Sequence, residues 1–483
     1  MKKATILMTL VLLLSVCGVG VLAADIFEEH NQVVLTEKVI YGDRSKANGL
    51  SVCINSHYQR KVFWNTTLRF GEETGAQTEY DFSAKEIREN YPVVYEGIQI
   101  GNPAHGGVDF DLDNPQEGLW VAYKELYDET EPGQEKERDI RLKDYIDHYP
   151  MTIALDFPNA RYSAEAWESF AGMDVTPGSE AYAIQVLRDY YKIPVLEDEY
   201  YGIHVRKRES GAQSGWGGGT SQYGDRYYMQ DYSVLSDNAC YFTFSTLTDD
   251  GKIVDTGELS DGYGIYRLPY RTEYDEQSGE DISIIEADDL EMVYPLTPGI
   301  DLSSLSINAE QTCLYLHAVE NGVYSITVID LATMKAIQKQ EVLVVEDDSW
   351  WSIWDYNDFM AILLNPAQEF AVMSKEKDGR LKLEYICLIQ PERLERSFSI
   401  YDAAMDFDGE RLALARRMEI EEEHEEEYRD RTTCNLQIAV YEENGLAYVG
   451  EYKSSLDTGE DWTNHAFHVR GRDFNPVEVA WEP

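Results

Sequence analysis

The chain has 483 residues and a formal net charge of −48 at pH 7, and 43% of its residues are hydrophobic. This length and apolar content predict a folded protein rather than a disordered acidic tail. The charge would repel nucleic acids and anionic membrane surfaces, so both are excluded as partners, whereas cations and basic or neutral partners are compatible with it.

The first segment has the pattern of an export signal. Lys2 and Lys3 precede an uncharged, mostly apolar run from Ala4 to Ala24, and Asp25 follows it. The run suits a cleaved signal peptide, and it is also just long enough to cross a bilayer core of roughly 30 Å. Residues 1–24 are therefore predicted to be either a signal peptide or an N-terminal membrane anchor formed by one hydrophobic helix. Both alternatives place residues 25–483 outside the cytoplasm.

The cysteines that follow this segment are widely spaced and odd in number, and several lie in apolar runs. Such a pattern predicts buried free thiols rather than a disulfide framework or a zinc site. The residues concerned are Cys53, Cys240, Cys313, Cys387 and Cys434.

An acidic segment follows the first predicted strands, which lie near residues 33–41, 49–55 and 61–70. Carboxylates at alternate positions could offer hard oxygen ligands to Ca²⁺, although Asn114 and Trp120 stand where an EF-hand requires glycine and glutamate. The alternative is an exposed acidic turn without metal. The candidate metal ligands are Asp109, Asp111, Asp113 and Glu117.

Helical periodicity appears between about residues 119 and 200 and predicts a helical insertion in a β-domain. The clearest helix is predicted from Ser179, its N-cap, to Tyr191, because Ile184 and Leu187 share one face and Pro194 follows. A strand is expected over residues 200–207. The glycine-rich residues 209–224 are predicted to form a flexible loop.

The second half has the pattern of antiparallel β-structure. Apolar and alternating runs are separated by dipeptides that favour tight turns. These are Asp250-Gly251, Asn321-Gly322, Asp378-Gly379, Asp408-Gly409 and Asn444-Gly445. A similar segment also recurs, with equivalent positions at Val234, Ile307, Leu364 and Met405. The interval between the last two copies matches one four-stranded propeller blade.

The strand-like run Ser325 to Leu331 ends in Asp-Leu-Ala-Thr, which resembles the outer turn of a WD40-like or TolB-like blade. In its layout the whole chain resembles the exported β-propeller-like proteins of Gram-positive bacteria. This resemblance implies a mainly β protein, a propeller of about 6–8 irregular blades, and it supplies no site residues. A β-sandwich, or a pair of them, is the alternative fold.

A tryptophan cluster flanked by carboxylates is the candidate ligand site. Indole rings can stack on sugar rings while carboxylates accept hydroxyl hydrogen bonds, but the same rings could fill gaps between blades. The residues are Trp350, Trp351, Trp354, Asp348 and Asp355. The acidic run around His424 and the pair His465 and His468 are interpreted as solvated surface segments.

No motif of high specificity for catalysis or for a cofactor occurs in the sequence. The leading hypothesis is a secreted or membrane-anchored, non-enzymatic protein that binds a protein or glycan through loops on one rim of a propeller. A carbohydrate-active hydrolase or lyase is the first alternative. A membrane-tethered sensor subunit is the second.

Overall fold

The described residues of the computed structural model fall mostly into β-strands. They are residues 15–18, 20, 35–58, 62–71, 74–81, 97–101, 119–145, 147–148, 152–158, 160–164, 175–190, 195, 197, 200–210, 213–220, 227–248, 262–275, 280–297, 300–345, 350–365, 369–389, 403–420, 433–454 and 477–482. Residues 1–24 therefore lie largely outside this part of the chain. Among the described residues, no helix is both long and apolar enough to span a membrane.

The chain divides into two compact units. The first contains residues 1–92, 348–375 and 382–483, and the second contains residues 93–347 and 376–381. Every strand pairing is antiparallel within the described ranges, and the strands form seven sheets.

The first unit holds three of these sheets, which we number 1, 6 and 7. Sheet 7 has the order β1-β27-β26-β25-β24, sheet 1 the order β28-β2-β3-β4, and sheet 6 the order β20-β21-β22-β23. Their strands are β1 (Leu35–Gly42), β2 (Leu50–Tyr58), β3 (Val62–Phe70), β4 (Thr74–Asp81), β20 (Trp350–Asp355), β21 (Phe359–Asn365), β22 (Glu369–Lys375), β23 (Leu381–Leu388), β24 (Ala404–Phe407), β25 (Leu412–Ile420), β26 (Thr433–Glu442), β27 (Gly445–Ser454) and β28 (Val477–Trp481).

The second unit holds sheets 2 to 5. Sheet 2 has the order β5-β7-β8, sheet 3 the order β10-β9-β6 and sheet 5 the order β16-β17-β18-β19, while in sheet 4 β11-β12-β13-β14 is joined by β15 on β13. Their strands are β5 (Gly97–Gly101), β6 (Glu135–Arg141), β7 (Thr152–Phe157), β8 (Ala160–Ala164), β9 (Tyr200–Lys207), β10 (Gln213–Thr220), β11 (Tyr227–Leu235), β12 (Ala239–Thr248), β13 (Gly264–Asp275), β14 (Glu280–Ile285), β15 (Glu291–Pro295), β16 (Asp301–Ile307), β17 (Cys313–Glu320), β18 (Val323–Asp330) and β19 (Lys335–Val344).

Several sheets of this fold are buried on both faces. In β25, Leu412 and Leu414 pack in a core with sheet 6, whereas the alternating Ala413 and Ala415 pack in another core with sheet 1. In the second unit, β12 likewise divides its side chains between two cores, one shared with sheets 2 and 3 and the other with sheet 5. Meandering sheets stacked through both faces are typical of propeller blades. The fold is therefore mainly β and propeller-like.

Strands from distant parts of the sequence complete two sheets of the first unit. β1 adds an outer strand to β27, and β28 adds the first strand of sheet 1 by pairing with β2. The register joins Leu50 to Trp481 and Leu35 to Ser454. Neither sheet is thus made from one continuous stretch of chain.

The region predicted as a helical insertion contains both helices and strands. Helix α1 (Leu119–Glu129) and helix α2 (Glu180–Tyr190) lie in it together with β6, β7 and β8. Buried residues of both helices join the core of sheets 2, 3 and 4. The helix start predicted at Ser179 is confirmed, because its hydroxyl accepts a hydrogen bond from the Tyr182 amide at 3.2 Å.

Two expectations from the sequence were wrong. The supposed glycine-rich loop contains β10, because the backbone groups of its glycines pair with β9 without needing side chains. Leu364 is also not equivalent to Val234, Ile307 and Met405, since it lies at the end of a second strand rather than in a first strand. The first strand of sheet 6 is instead β20, which contains the tryptophan cluster.

Polar side chains organise the turn after the first strand in several sheets. In sheet 5, Asn308 is 3% exposed, and its Oδ1 accepts hydrogen bonds from the amides of Thr312 and Cys313, both at 2.8 Å. In sheet 7, Asp408 Oδ1 accepts from the Arg411 amide at 2.6 Å, and in sheet 4 Ser236 Oγ accepts from the Ala239 amide at 3.1 Å. These local bonds explain the recurring small polar residues in the sequence.

Replacing Asn308 by alanine is expected to lower the free energy of unfolding by about 2 kcal/mol, because the Thr312 and Cys313 amides lose their acceptor and the bond to Cys313 is buried. Urea denaturation followed by tyrosine and tryptophan fluorescence measures the change. Glu310→Ala is the control, because Glu310 is exposed and accepts only from Asn308 Nδ2, which also donates to the Thr312 hydroxyl. Its effect is expected to stay within about 0.5 kcal/mol of the original protein. Equal effects of the two substitutions would contradict this role for Asn308.

Candidate functional site

The first strands of several sheets carry partly exposed polar residues, unlike the second strands. Residues 313–318 of β17 and 359–364 of β21, both second strands, are buried. By contrast, the first strands β11, β16, β20 and β24 carry partly exposed polar residues, which include Asp231, Ser233, Asp301, Ser304, Ser352 and Asp406.

The predicted tryptophan cluster lies on β20, where strand alternation divides it between two faces. The pairing of β20 with β21 is regular, so Trp351 and Asp355 point to one face and Trp354 points to the other. Trp354 packs against the core of sheets 6 and 7, with its ring centroid 6.1 Å from that of Phe370. The two tryptophans hence do not form one continuous stacking surface.

Asp355 is held by a lysine on the third strand of its sheet. Lys375, whose side chain is only 6% exposed, forms an ion pair with Asp355 and donates a hydrogen bond to the Tyr356 carbonyl at 2.5 Å. Tyr356 stacks on Phe359 with 4.6 Å between ring centroids, and burial raises the pKa of its hydroxyl. Because a buried ammonium requires compensation, this ion pair fixes the position of the Asp355 carboxylate.

The other predicted site residues are described less fully or not at all. Asp348 and all four predicted metal ligands, Asp109 to Glu117, lie outside the described residues. The backbone of Trp350 belongs to β20, opposite Asn365. His424, His465 and His468 also fall outside the described ranges. The predicted calcium site therefore stays a prediction.

Two aspartates on first strands of the second unit have raised pKa values. Burial is the main cause for both Asp231 on β11 and Asp301 on β16. Asp231 Oδ2 also accepts a hydrogen bond from the Ile100 amide at 2.7 Å, which opposes the rise. The two strands are linked where the Tyr232 hydroxyl donates to the Leu302 carbonyl at 3.1 Å.

One group of potential metal ligands was missed by the sequence analysis. Glu135 and Glu137 on β6 and His204 on β9 have ligand atoms within 4.8 Å of one another. The alternation of Glu135 and Glu137 on a strand could have suggested two carboxylates on one face. Nothing in the sequence indicated that His204 pairs with this strand.

Comparisons with known proteins do not place the chain in a family. No protein-family model matches it, and no curated protein is similar to it. Among solved structures, a putative 6-phosphogluconolactonase from Bacteroides fragilis aligns with 9% identity and a TM-score of 0.28, over 83% of this chain and 93% of that one. The periplasmic gluconolactonase of Pseudomonas aeruginosa aligns with 9% identity and a TM-score of 0.27, over 84% and 95%.

TolB from Acinetobacter baumannii is also similar, with 11% identity and a TM-score of 0.20 over 72% of this chain and 82% of that one. At these identities and TM-scores the similarities carry no argument about activity. The propeller-like description of the fold depends instead on the strand order and on the sheets that are buried on both faces.

Proposed function

We propose that the protein is a non-enzymatic binding protein located outside the cytoplasm, and that its described sheets are propeller blades. On this proposal, residues 1–24 direct export or anchor the chain, as their sequence pattern indicates. The partner is a protein or a glycan, and it contacts the protein through β20 and the loops beside that strand.

The observation that carries the proposal is the arrangement of Trp351 and Asp355 on one face of β20. Trp351 is partly exposed, and Asp355 is positioned by a lysine that is almost fully buried. Four residues of extended strand separate the two side chains by about 13 Å. A ligand that contacts both must therefore be extended, such as an oligosaccharide or a peptide segment, rather than a single sugar.

The pairing of Asp355 with Lys375 supports binding rather than hydrolysis at this strand. Glycoside hydrolysis uses two carboxyl groups about 5–9 Å apart, one of which must donate a proton. Asp355 is instead engaged with an ammonium group. A fixed carboxylate and an indole ring on the same face of a strand suit the recognition of hydroxyl or amide groups along an extended ligand.

A carbohydrate-active hydrolase or lyase is the second candidate function. It is favoured by the raised pKa values of Asp231 and Asp301 on neighbouring first strands, because perturbed carboxyl groups are frequent in catalytic sites. On this alternative, turnover of chromogenic glycosides or cell-wall fragments would fall on Asp301→Asn substitution. No turnover of any such substrate would leave binding as the better explanation.

Affinity electrophoresis in gels that contain cell-wall polysaccharides tests the binding function. We expect at least one polysaccharide to retard the protein and Trp351→Ala to abolish the retardation, because the stacking ring is removed. Tyr274→Ala is the matched control, since Tyr274 is an aromatic residue of β13 with 66% exposure. Equal retardation of both variants would show that Trp351 does not contact the polysaccharide. If no polysaccharide retards the original protein, a glycan is rejected as the partner.

A further inference from the structure

The outward face of sheet 3 carries a group of side chains outside the proposed ligand site. In the register of β6 and β9, Glu137 lies directly opposite His204, and Glu135 lies opposite Arg206. Side chains two residues apart on a strand share a face, so all four point to the same side. On the other side, Ile203 and Val205 are fully buried in the core of the second unit. The buried face holds β9 in place and directs His204 outward.

Within this group, the contacts leave one carboxylate without a partner. His204 Nε2 lies 2.6 Å from Glu135 Oε1, and Arg206 Nε lies 3.7 Å from Glu135 Oε2. Glu135 thus contacts both neighbouring basic side chains, His204 and Arg206. Among the described residues, Glu137 forms no hydrogen bond or ion pair, although its carboxylate is within 4.8 Å of the other two ligand atoms. Two neighbouring carboxylates repel each other, and a cation bound between them would offset the repulsion that Glu137 experiences.

The chemistry of the three side chains selects a particular class of cation. An imidazole nitrogen with two carboxylate oxygens suits Zn²⁺ and similar divalent transition metals, whereas Ca²⁺ takes oxygen ligands only. Metal–ligand bonds of about 2.0–2.2 Å place tetrahedral ligand atoms roughly 3.4 Å apart. The contact between His204 and Glu135 would need to lengthen by less than about 1 Å, which side-chain rotation supplies.

The third strand of the sheet, β10, places no side chain beside His204. β10 places Gly217 directly opposite His204 and Gly219 opposite Gly202. Because glycine has no side chain, the strand next to the histidine presents only backbone there. Three protein ligands would leave a fourth coordination position for water or for a group on a partner.

We propose that Glu135, Glu137 and His204 form a binding site for a divalent transition metal ion such as Zn²⁺. The site is separate from the calcium site predicted around Asp111, and it does not depend on the binding function proposed for β20. The metal would neutralise Glu137 and would join β6 to β9 through side chains as well as through their backbones.

Isothermal titration of ZnCl₂ into the full-length protein tests the site. We expect one class of Zn²⁺ binding that weakens at least about tenfold in His204→Ala and in Glu137→Gln, because each variant loses a direct ligand. Asp139→Asn is the matched control, since Asp139 lies on the same face of β6, two residues beyond Glu137 and opposite Gly202. This control should retain the binding class, and an excess of Ca²⁺ should not displace Zn²⁺.

A second measurement uses the thermal unfolding midpoint. Zn²⁺ should raise the midpoint of the original protein and of Asp139→Asn, and this increase should be lost in both ligand variants. Because Glu137 is exposed, Glu137→Gln is expected to fold even if His204→Ala does not. The proposal is overturned if Glu137→Gln binds Zn²⁺ with unchanged affinity and stoichiometry, or if Asp139→Asn weakens binding as strongly as the ligand variants do.

Discussion

Replacing Trp481 by alanine is expected to lower the free energy of unfolding of the first unit by about 3 kcal/mol. Trp481 ends β28 and donates two hydrogen bonds to Asp406, from its amide to Oδ2 at 2.6 Å and from Nε1 to the carbonyl at 3.2 Å. The Arg411 guanidinium lies over the indole, 3.9 Å from the ring centroid. Trp481 therefore connects sheet 1 to β24 of sheet 7 and to the turn that leads into β25.

The loss has several physical sources. The substitution removes the buried part of the indole, the cation–π contact and one hydrogen bond. Arg411 should keep much of its position, because it also donates to the Lys46 carbonyl at 2.9 Å and pairs with Asp408 at 2.8 Å. The effect should thus be confined to the attachment of β28 rather than to the whole of sheet 7.

Urea denaturation, with hydrogen exchange of the β2 and β28 amides, measures this prediction. The neighbouring Glu482→Gln removes an exposed ion pair with Arg69 and is the control, expected to cost less than about 1 kcal/mol. Exchange in β2 should accelerate in Trp481→Ala because its edge becomes unprotected. Unchanged exchange together with an unchanged urea midpoint would show that β28 does not depend on Trp481.

The local part of this fold could be predicted from the sequence because its signals are short-range. Asn321 and Gly322 adopt φ angles of 52° and 75° in the turn between β17 and β18, as an Asn-Gly dipeptide favours. Asp378-Gly379, Asp408-Gly409 and Asn444-Gly445 likewise separate successive strands. The capping hydroxyl of Ser179 is another such signal.

The errors arose where tertiary pairing outweighed local preference. Gly217 and Gly219 have low strand propensity, yet β9 offers backbone groups along the whole length of β10. In sheet 6, Asn357 and Asp358 follow the first strand, but the Leu364-Asn365 segment looked more like the other copies. The sequence therefore could not show that the turn after β20, rather than the Leu364-Asn365 segment, corresponds to the turns that follow the first strands of the other sheets.

In the candidate sites, too, local features could be predicted from the sequence, whereas contacts between distant segments could not. The aromatic and acidic character of β20 was visible in the sequence, but the burial of Lys375 beside Asp355 was not, because the two residues belong to different strands. Similarly, His204 lies beside Glu135 only because β9 pairs with β6, although the two residues are 69 positions apart in the sequence. Side chains that converge from distant segments leave no periodic signal.

Replacing Gly450 by alanine is expected to lower the free energy of unfolding of the first unit by about 3 kcal/mol. Gly450 lies on β27 between Tyr448 and Tyr452, which are both fully buried and share its face of the strand. An added Cβ would collide with the Tyr448 hydroxyl, lie 2.7 Å from Tyr448 Cζ and lie 3.1 Å from the Tyr452 ring. The two rings therefore occupy the space that a side chain would need.

The tyrosines cannot easily move aside, because their hydroxyls belong to a buried network. The two hydroxyl oxygens are 2.5 Å apart, and Tyr448 also donates to Glu37 Oε1 at 3.0 Å. Arg44 approaches the same carboxylate at 3.3 Å, and the Tyr452 ring packs edge-on against Phe70. Burial raises the pKa of both tyrosines, so they stay protonated and able to donate.

A double-mutant cycle with Tyr448→Phe distinguishes a collision from a general weakness of the strand. Tyr448→Phe removes the nearest obstructing atom, so Gly450→Ala should cost at least about 1 kcal/mol less in that background, as measured by urea denaturation. Gly75→Ala on β4 is the matched control, because no atom lies within 4 Å of its added Cβ, and its effect should stay within about 0.5 kcal/mol. Additive costs in the cycle, or equal costs for the two glycines, would contradict the steric explanation.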